Sequence, residues 1–406
     1  MFFKYKIIPG CILIVILFVS CGKKSDSPVE PIIESRGQII SVTSLGSISA
    51  QNLQQLASAA VSPAQFNFTL QYDVEFYKID YVTVDPQGNL VVASGALFFP
   101  TGKNNLSIMS LHHGTVTSRT QVASQNPLGA IDGLVAASLG YYALEPDYLG
   151  LGDSNILHPY HYQKSSANAV IDFIRAGRSY ASGRNIALNG QVFLAGYSEG
   201  GYVTLAAHKE IEQNYSNEIK VTASSPMAGA YDLNLTASTI LQQSTYNQPS
   251  YLAFFFETYN SIYGWNRIND VFNSPYADRI PSLYDGTKTT DEINAQLTIN
   301  INQLFKQSFL SSYLSGKETS INAAFAENSL LNWKPSAPIR LYHGNADEYV
   351  PYQNSVDARD YFQAQGSNVV LITINGGTHQ SASIPSILDA ISWFESIRLK
   401  KLAAQN

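Results

Sequence analysis

A serine flanked by glycines is the residue of this sequence that is best placed to do chemistry. Ser198 lies in the stretch Gly-Tyr-Ser-Glu-Gly-Gly, residues 196–201, after an apolar run and before the helical pattern 199–213. A strand, the pattern G-x-S-x-G and a helix make a sharp turn that pushes the serine hydroxyl out of the sheet. Glycine at both flanks keeps this turn free of crowding side chains. The pattern predicts a nucleophilic Ser198, and an incidental serine in a strand-to-helix connection is the alternative.

A serine hydroxyl is a weak nucleophile, so this interpretation requires a base and an acid elsewhere in the chain. The base accepts the serine proton, and the acid fixes the tautomer of the base and stabilises its charge. His379 follows a Gly-Gly-Thr stretch beyond the apolar run 369–374, which places a histidine on a loop after a strand. We therefore expect His379 to be the base, with a solvated loop histidine as the alternative.

The segment His-Gly-Asn-Ala-Asp-Glu-Tyr-Val-Pro, residues 343–351, offers the acid. Asp347 lies on the loop just past the apolar run 339–342 and is the residue that we favour. Its neighbour Glu348 and the earlier Asp232 are the alternative acids. A turn-forming or helix-capping aspartate is the structural interpretation of Asp347.

Acyl transfer at a serine also needs donors for the negative charge that develops on the carbonyl oxygen. Two backbone N–H groups are the usual solution. One is expected from Glu199, the residue after the nucleophile. The other is expected from the loop His-His-Gly-Thr after the apolar run 106–111, with Thr115 as the first choice and Gly114 as the fallback.

The histidines of that loop, His112 and His113, are expected to shape it rather than to act as bases or metal ligands. An adjacent histidine pair with no partnering acid at ligand spacing is weak evidence for a metal. We therefore predict no metal site and no cofactor.

A second loop, residues 145–154, carries glycines that allow tight turns near the same sheet edge. Asp147 and Asp153 are expected to hydrogen-bond within their own loop rather than to catalyse. His158 and His161, in the stretch His-Pro-Tyr-His, are candidates for lining a pocket.

The composition allows a large buried core and argues against nucleic-acid binding. The 406 residues are 45% hydrophobic and 14% charged, with a formal net charge of -6. That length suits one large α/β domain or two smaller ones. The sequence has no basic cluster, whereas a phosphate backbone requires clustered lysine and arginine.

The first 20 residues, 1–20, have the pattern of a secretory signal peptide. Lys4 and Lys6 are followed by the apolar run 7–19, which is too short to favour a membrane-spanning helix. Of the two cysteines in the chain, Cys11 lies in this segment. The mature domain is therefore expected to lack a disulfide despite its export to an oxidising compartment.

The end of this segment, Phe-Val-Ser-Cys at 18–21, resembles a bacterial lipobox. The motif predicts lipidation of Cys21, a flexible tether over 21–36 and a lipid-anchored position in the bacterial cell envelope. Phe18 departs from the leucine that a lipobox prefers. An ordinary signal peptide cut near Ser20 is the alternative.

Apolar patterns divide the rest of the chain into a core and an insertion. Residues 68–85 and 90–99 are typical of a β-hairpin, and short apolar runs then alternate with helical patterns, of which the last covers 386–399. The alternation stops over 231–335, which is polar, aromatic and mostly helical in pattern. A structureless loop of that length is rare in a compact domain. We predict a core of residues 37–230 and 336–406 and a helical cap over 231–335, hereafter the cap segment.

These motifs together resemble the α/β-hydrolase superfamily and, within it, secreted lipases and esterases. The shared patterns are Pro-Asp-Tyr-x-Gly-x-Gly at 146–152, Gly-Tyr-Ser-x-Gly-Gly at 196–201, and the late aspartate and histidine loops. The resemblance covers about 107–399 apart from the cap segment. It implies an α/β fold with a mostly parallel twisted sheet, helices on both faces and an inserted cap.

The resemblance also implies hydrolysis of a carboxylic ester through an acyl-enzyme on Ser198, with His379 as base and Asp347 as its orienting acid. The expected substrate is a small-molecule, lipid or acylated-carbohydrate ester, and the expected membrane contact is the lipid on Cys21. A prolyl-type serine peptidase and a non-catalytic surface binding protein are the alternatives. Several aromatic residues of the cap segment could line a pocket or pack the cap onto the sheet: Tyr251, Phe254, Phe255, Phe256, Tyr259, Tyr263 and Trp265.

Overall fold

The computed structural model describes residues 34–60 and 66–403, with the side chains of 60 and 401–403 excepted. The predicted signal peptide, Cys21 and most of the predicted tether lie outside the described residues. Within these ranges no helix combines the length and the apolar character that a membrane span requires.

A nine-stranded mixed sheet forms the centre of the fold, in the order β1-β2-β3-β5-β4-β6-β7-β8-β9. The strands are β1 (Ile39–Ile48), β2 (Val74–Val84), β3 (Leu90–Pro100), β4 (Leu106–His112), β5 (Tyr141–Pro146), β6 (Leu188–Tyr197), β7 (Val221–Met227), β8 (Ile339–Gly344) and β9 (Val369–Ile374). The pairs β1–β2, β2–β3 and β3–β5 are antiparallel. All other neighbouring strands in the sheet are parallel. Because parallel strands end at the same edge, the loops after β4, β6, β8 and β9 meet there.

Helices cover both faces of this sheet. In chain order they are α1 (Ala50–Ala60), α2 (Ile131–Ser138), α3 (Gln163–Gly183), α4 (Glu199–Asn214), α5 (Leu233–Leu241), α6 (Pro249–Ile262), α7 (Ile268–Val271), α8 (Tyr276–Leu283), α9 (Thr290–Asn294), α10 (Ile301–Leu304), α11 (Gln307–Leu314), α12 (Thr319–Glu327), α13 (Gln353–Ala364) and α14 (His379–Ala403). Residues of α3, α4 and α13 belong to the hydrophobic cluster of one face, and residues of α1, α2 and α14 to that of the other. The predicted fold class is confirmed.

Strand β6 illustrates why the central strands are apolar throughout. Val192 and Leu194 belong to one hydrophobic cluster, whereas Phe193 and Ala195 belong to the other. Successive side chains of a strand point to opposite faces of the sheet. A strand that is covered on both sides therefore needs a continuous apolar run, which is what precedes Ser198.

Two element boundaries differ from the sequence-based prediction. The strand expected from residue 68 begins at Val74. The helix expected over 386–399 begins at His379, ahead of Pro385. Thr378 caps it, because the N–H of Ser381 donates to Thr378 Oγ1 at 3.2 Å and the N–H of Thr378 donates to Ser381 Oγ at 2.9 Å. This reciprocal cap places His379 at the start of a helix rather than on a loop.

The cap segment is largely helical, from α5 to α12, and it lies between β7 and β8 in the chain. These two strands are neighbours in the sheet, so the segment leaves and re-enters the sheet at adjacent positions. Its apolar side chains, among them Phe255 and Phe325 with ring centroids 4.6 Å apart, belong to the same hydrophobic cluster as α3 and α4.

Candidate active site

Ser198 occupies the sharp turn between β6 and α4. Its φ of 62° and ψ of -121° are unusual for a residue with a side chain. The Ser198 N–H donates to the carbonyl of Met227 at 2.9 Å, which ties the turn to the end of β7. A methyl group at Gly200 would overlap the carbonyl oxygen of His112, and one at Gly196 would lie 2.6 Å from the same oxygen. The two glycines therefore allow the close approach of β4 that the turn requires.

His379 reaches this turn from the start of α14. Its Nε2 lies 2.8 Å from Ser198 Oγ, within hydrogen-bond distance. The backbone of His379 is held on both sides: its carbonyl accepts from the Tyr197 hydroxyl at 2.6 Å, and its N–H donates to Glu348 at 3.0 Å. The imidazole is thus fixed beside the serine hydroxyl.

Asp347 is the carboxylate that contacts this imidazole. Its Oδ2 lies 2.6 Å from His379 Nδ1, and its Oδ1 accepts the N–H groups of Tyr349 and Val350 at 2.8 Å each. Burial acts to raise the pKa of Asp347, but hydrogen bonds from His343 and His379 and the electrostatic attraction of these rings lower it well below its usual range. The carboxylate is therefore ionised at neutral pH.

The two alternative acids have other partners. Glu348 accepts from the backbone N–H of His379 rather than from its ring. Asp232 caps α5, where its side chain accepts the N–H of Leu235 at 3.0 Å. The geometry therefore favours Asp347 over both.

His343, a residue without a predicted role, contacts Asp347 and helps to hold its carboxylate in place. Its Nε2 lies 3.1 Å from Asp347 Oδ2, and its Nδ1 lies 2.7 Å from Ser355 Oγ on α13. His343 is fully buried. The only sequence signal was its place four residues before Asp347 in the late motif, since the contact with Ser355 depends on the packing of α13.

The proposed oxyanion donors lie beside the serine. Within the described part of the chain, the N–H groups of Glu199 and Thr115 donate to no other residue. A methyl group at Gly114 would lie 3.7 Å from Ser198 Cβ, so the loop after β4 passes close to the nucleophile. The Thr115 hydroxyl is 2.8 Å from that of Tyr160, which fixes the side chain of Thr115 and with it the loop.

His112 and His113 make contacts that confirm their predicted role in shaping this loop. His112 lies between Ser110 Oγ and Thr204 Oγ1, at 3.0 and 2.7 Å. Burial, with a smaller contribution from His113, lowers the pKa of His112 to about 3, so this ring is neutral at neutral pH. Among residues 34–60 and 66–403, no group of three or more histidine, cysteine, aspartate or glutamate side chains could hold a metal ion.

The prediction that Asp147 and Asp153 bond within their own loop was wrong. Asp147 accepts from Ser94 Oγ at 2.6 Å and from the N–H of Ser124 at 3.2 Å. Asp153 accepts from Lys78 and, at 2.8 Å, from Gln125. Both aspartates therefore join their loop to segments that are distant in the sequence.

A cleft opens at Ser198 and is bounded by the cap segment. His161 lines this cleft, as the sequence suggested, whereas His158 lies behind it with Nε2 2.7 Å from Glu199 Oε1. The aromatic residues that line the cleft come from the cap segment and from two loops of the core: Tyr246, Tyr251, Phe255, Tyr160 and Tyr349.

The other aromatic candidates of the cap segment serve its packing. The Phe254 ring stacks on Tyr160 and Tyr284, with centroids 4.7 and 4.4 Å away. Tyr263 and Trp265 stack on each other at 5.3 Å. The remaining two, Phe256 and Tyr259, are buried among further aromatic rings.

Comparisons with known proteins find relatives among lipases and similar solved structures. The chain is 27% identical to Lipase 4 of Candida albicans over 237 residues, which are 54% of this chain and 48% of that protein. This chain thus spans about half the length of the curated relatives that it matches. Among solved structures, a Legionella pneumophila protein is 28% identical with a TM-score of 0.83, and the match covers 88% of this chain and 98% of that one.

The rice cell wall degrading esterase LipA of Xanthomonas oryzae is similar in fold and sequence. It has a TM-score of 0.79 and 27% identity, and the match covers 92% of this chain and 100% of that one. The family model of secretory lipases matches residues 120–405, which include the serine, aspartate and histidine described above. By this match the chain belongs to the secretory lipase family.

Proposed function

We propose that this protein is a carboxylic ester hydrolase that forms an acyl-enzyme on Ser198. The observation that carries the proposal is the continuous chain of contacts from Ser198 Oγ to His379 Nε2 at 2.8 Å and from His379 Nδ1 to Asp347 Oδ2 at 2.6 Å. Membership in the secretory lipase family and similarity to a solved esterase support the same reaction.

Acylation follows from these contacts. His379 Nε2 accepts the hydroxyl proton while Ser198 Oγ bonds to the ester carbonyl carbon, and Asp347 stabilises the imidazolium that forms. The carbonyl oxygen becomes negative and accepts from the N–H groups of Glu199 and Thr115. When the intermediate collapses, the alcohol leaves with the proton that His379 returns.

Deacylation uses the same residues, with water as the nucleophile. His379 accepts a proton from a water molecule, whose oxygen attacks the acyl carbon on Ser198. The carboxylic acid product then leaves, and Ser198 Oγ regains its proton from His379. No cofactor enters either half-reaction.

Reaction with a fluorophosphonate probe tests the nucleophile. We expect the wild-type protein to be labelled and Ser198→Ala to be unlabelled, since the probe reacts with an activated serine. Asp232→Asn is a matched control, because it changes a carboxylate that caps α5 to a residue that also caps helices, and it should leave labelling intact. A folded wild-type protein that does not react would contradict the proposal and would favour a non-catalytic binding protein.

The substrate class is tested by comparing ester and amide substrates. We propose short or long acyl esters as substrates and expect hydrolysis of p-nitrophenyl esters. The measurement is the kcat/KM for a series of acyl chain lengths beside Xaa-Pro anilides. Cleavage of the anilides alone would replace the esterase proposal by a prolyl-type peptidase.

We also propose export and lipid anchoring at Cys21. The family is described as secretory, which supports export, and the lipobox-like residues 18–21 support the anchor. Metabolic labelling with a fatty acid should mark the wild-type protein in the envelope fraction and should be lost in Cys21→Ala. A wild-type protein released without lipid would contradict the anchor and leave the hydrolase proposal unaffected.

A further inference from the structure

Two residues that line the cleft beside Ser198 each carry a buried polar atom that has no hydrogen-bond partner among the described residues. Among the described residues, Glu199 Oε2 and His161 Nδ1 make no hydrogen bond. Both residues line the cleft with Ser198, yet Glu199 is only 2% exposed and His161 only 6%. Buried polar groups nearly always have partners, because an unpaired one loses its hydration without replacement. Two such residues in the wall of one cleft point to a place that is built for a polar group.

The first atom belongs to a carboxylate whose charge is already balanced. Burial acts to raise the pKa of Glu199, but the electrostatic attraction and hydrogen bond of His158 outweigh it and lower the pKa. His158 Nδ1 lies 2.7 Å from the carbonyl oxygen of Leu149, which can only accept. Nδ1 therefore carries a proton. His158 Nε2 lies 2.7 Å from Glu199 Oε1, a contact that needs a proton between the two atoms, so the pair has no net charge.

The second atom belongs to a neutral and immobile ring. Burial lowers the pKa of His161 to about 4, so the imidazole carries a single N–H at neutral pH. Its backbone has a φ of 53°, and its carbonyl accepts from the hydroxyls of Tyr202 and Tyr259 at 2.8 and 2.9 Å. The ring packs edge-on against Tyr160 at 4.2 Å. Both polar atoms are thus held in place before any ligand arrives.

The charges decide which polar group fits. An ammonium group would gain little electrostatic attraction here, because His158 already balances the charge of Glu199. A carboxylate would be repelled by the free oxygen of Glu199. A hydroxyl can donate to Glu199 Oε2 and accept from His161 Nδ1, and it needs no counter-charge. The neutral donor-and-acceptor group therefore suits the pair best.

We propose that Glu199 and His161 form a hydroxyl-binding subsite, so that the preferred substrates are esters with a free hydroxyl near the scissile carbonyl. The inference rests on the proposed ester hydrolase function and specifies its substrate class. A site that is built to hydrogen-bond a hydroxyl discriminates strongly against the analogue that lacks it, because its buried polar groups then remain unpaired.

The test compares three esters by titration of the acid released at neutral pH. Propyl butyrate has no hydroxyl, 2,3-dihydroxypropyl butyrate carries hydroxyls in the alcohol part, and propyl 3-hydroxybutyrate carries one in the acyl part. We expect one hydroxylated ester to exceed propyl butyrate in kcat/KM by about tenfold or more. Which of the two does so identifies the part of the substrate that enters the subsite.

Variants assign the preference to the two residues. Glu199→Met and His161→Phe should each bring the kcat/KM ratio close to one. Glu199→Gln should retain most of the preference, because its amide can donate to His158 and present its oxygen to the cleft. Glu257→Met is the matched control, since Glu257 is another carboxylate with an unpartnered buried oxygen but does not line the cleft.

The outcomes separate the two proposals. Equal kcat/KM for all three esters in the wild-type protein would overturn the subsite while leaving the hydrolase proposal intact. No hydrolysis of any ester would contradict the hydrolase proposal itself. A loss of preference in Glu199→Gln as complete as in Glu199→Met would show that charge is recognised and would replace the hydroxyl by a cationic group. Circular dichroism checks that each variant folds, and His161→Phe keeps the test decisive if Glu199→Met does not.

Discussion

Two carboxylates flank Ser198, and they differ in how their oxygens are used. Both oxygens of Asp347 accept hydrogen bonds, from His379 and His343 on one side and from backbone N–H groups on the other. Glu199 accepts from His158 through one oxygen, and its other oxygen has no partner within the part of the chain that the structure describes. A carboxylate with all its partners in place can only position a neighbour, whereas one with a free oxygen retains the capacity to bind a ligand.

A third carboxylate shows what the histidine contributes. Glu257 on α6 also has an unpartnered oxygen, but it has no ion-pair partner among the described residues. Burial raises its pKa to about 7, whereas the pKa of Glu199 is lowered. An adjacent histidine therefore decides whether a buried carboxylate stays ionised.

The largest effect is expected from Asp347→Asn. The amide cannot stabilise the imidazolium of His379, so kcat/KM for a p-nitrophenyl ester should fall by about 10³–10⁴-fold. Glu348→Gln, which changes the neighbouring residue in the same way, should cost far less because Glu348 contacts only the backbone of His379. A larger loss in Glu348→Gln than in Asp347→Asn would reverse the assignment of the acid.

A smaller effect should follow from His158→Phe, which makes Glu199 resemble Glu257. Removing one member of a buried ion pair typically destabilises a protein by about 3–5 kcal/mol. The pKa of Glu199 should then rise above its unfolded value, so stability falls as pH rises from the unfolded pKa to the new folded one. The thermal midpoint of the variant should thus lie closer to that of the wild type at pH 5 than at pH 8. A difference in thermal midpoint between variant and wild type that is the same at both pH values would refute this account of the His158–Glu199 pair.

His343→Phe should have a more moderate effect on catalysis. It removes a hydrogen bond to the charged Asp347, a contact that contributes about 1.5–3 kcal/mol, so kcat/KM should fall by roughly 10- to 100-fold. The loss should appear mainly in kcat, since His343 does not line the cleft. Ser355→Ala, which removes only the outer partner of His343, should have a smaller effect in the same direction. An unchanged kcat in His343→Phe would mean that the backbone N–H donors alone hold Asp347.

The smallest effect is expected from Glu257→Gln. Because the folded pKa of Glu257 is raised to about 7, the native state binds its proton more tightly than the unfolded state does. Glu257 therefore makes stability fall as pH rises from the unfolded pKa of about 4.5 towards 7, and the loss is complete above that. Allowing for its partial exposure, Glu257→Gln should stabilise the protein by about 1–2 kcal/mol at pH 8 and hardly at all at pH 4. Equal thermal shifts at both values would contradict the raised pKa.

The residues that the sequence could identify are those carried by local motifs at strand ends. Ser198, Asp347 and His379 each follow an apolar run, and parallel strands bring such positions to one edge. The role of the Glu199 side chain could not be read in this way, because His158 is 41 residues away and reaches it only through tertiary packing. The bonds of Asp147 to Ser94 and Ser124 were missed for the same reason.

The fold was predictable to a similar degree. Alternating apolar runs identified the central strands, since a strand between two helical layers must be apolar on both faces. The start of α14 was missed because Pro385 suggests a helix boundary, whereas the cap formed by Thr378 and Ser381 sets the actual one. Pro385 lies inside this helix and therefore does not mark the boundary that the sequence suggested.

The backbone of Ser198 has a consequence for how this chain can evolve. A residue with a side chain at a φ of 62° and a ψ of -121° carries strain of about 1–3 kcal/mol. Folded proteins are stable by only about 5–15 kcal/mol, so this strain is a sizeable fraction of the total free energy of unfolding. Glycine at this position would relieve it without disturbing the packing around the turn. A lineage released from selection for hydrolysis would therefore gain stability by losing the serine first.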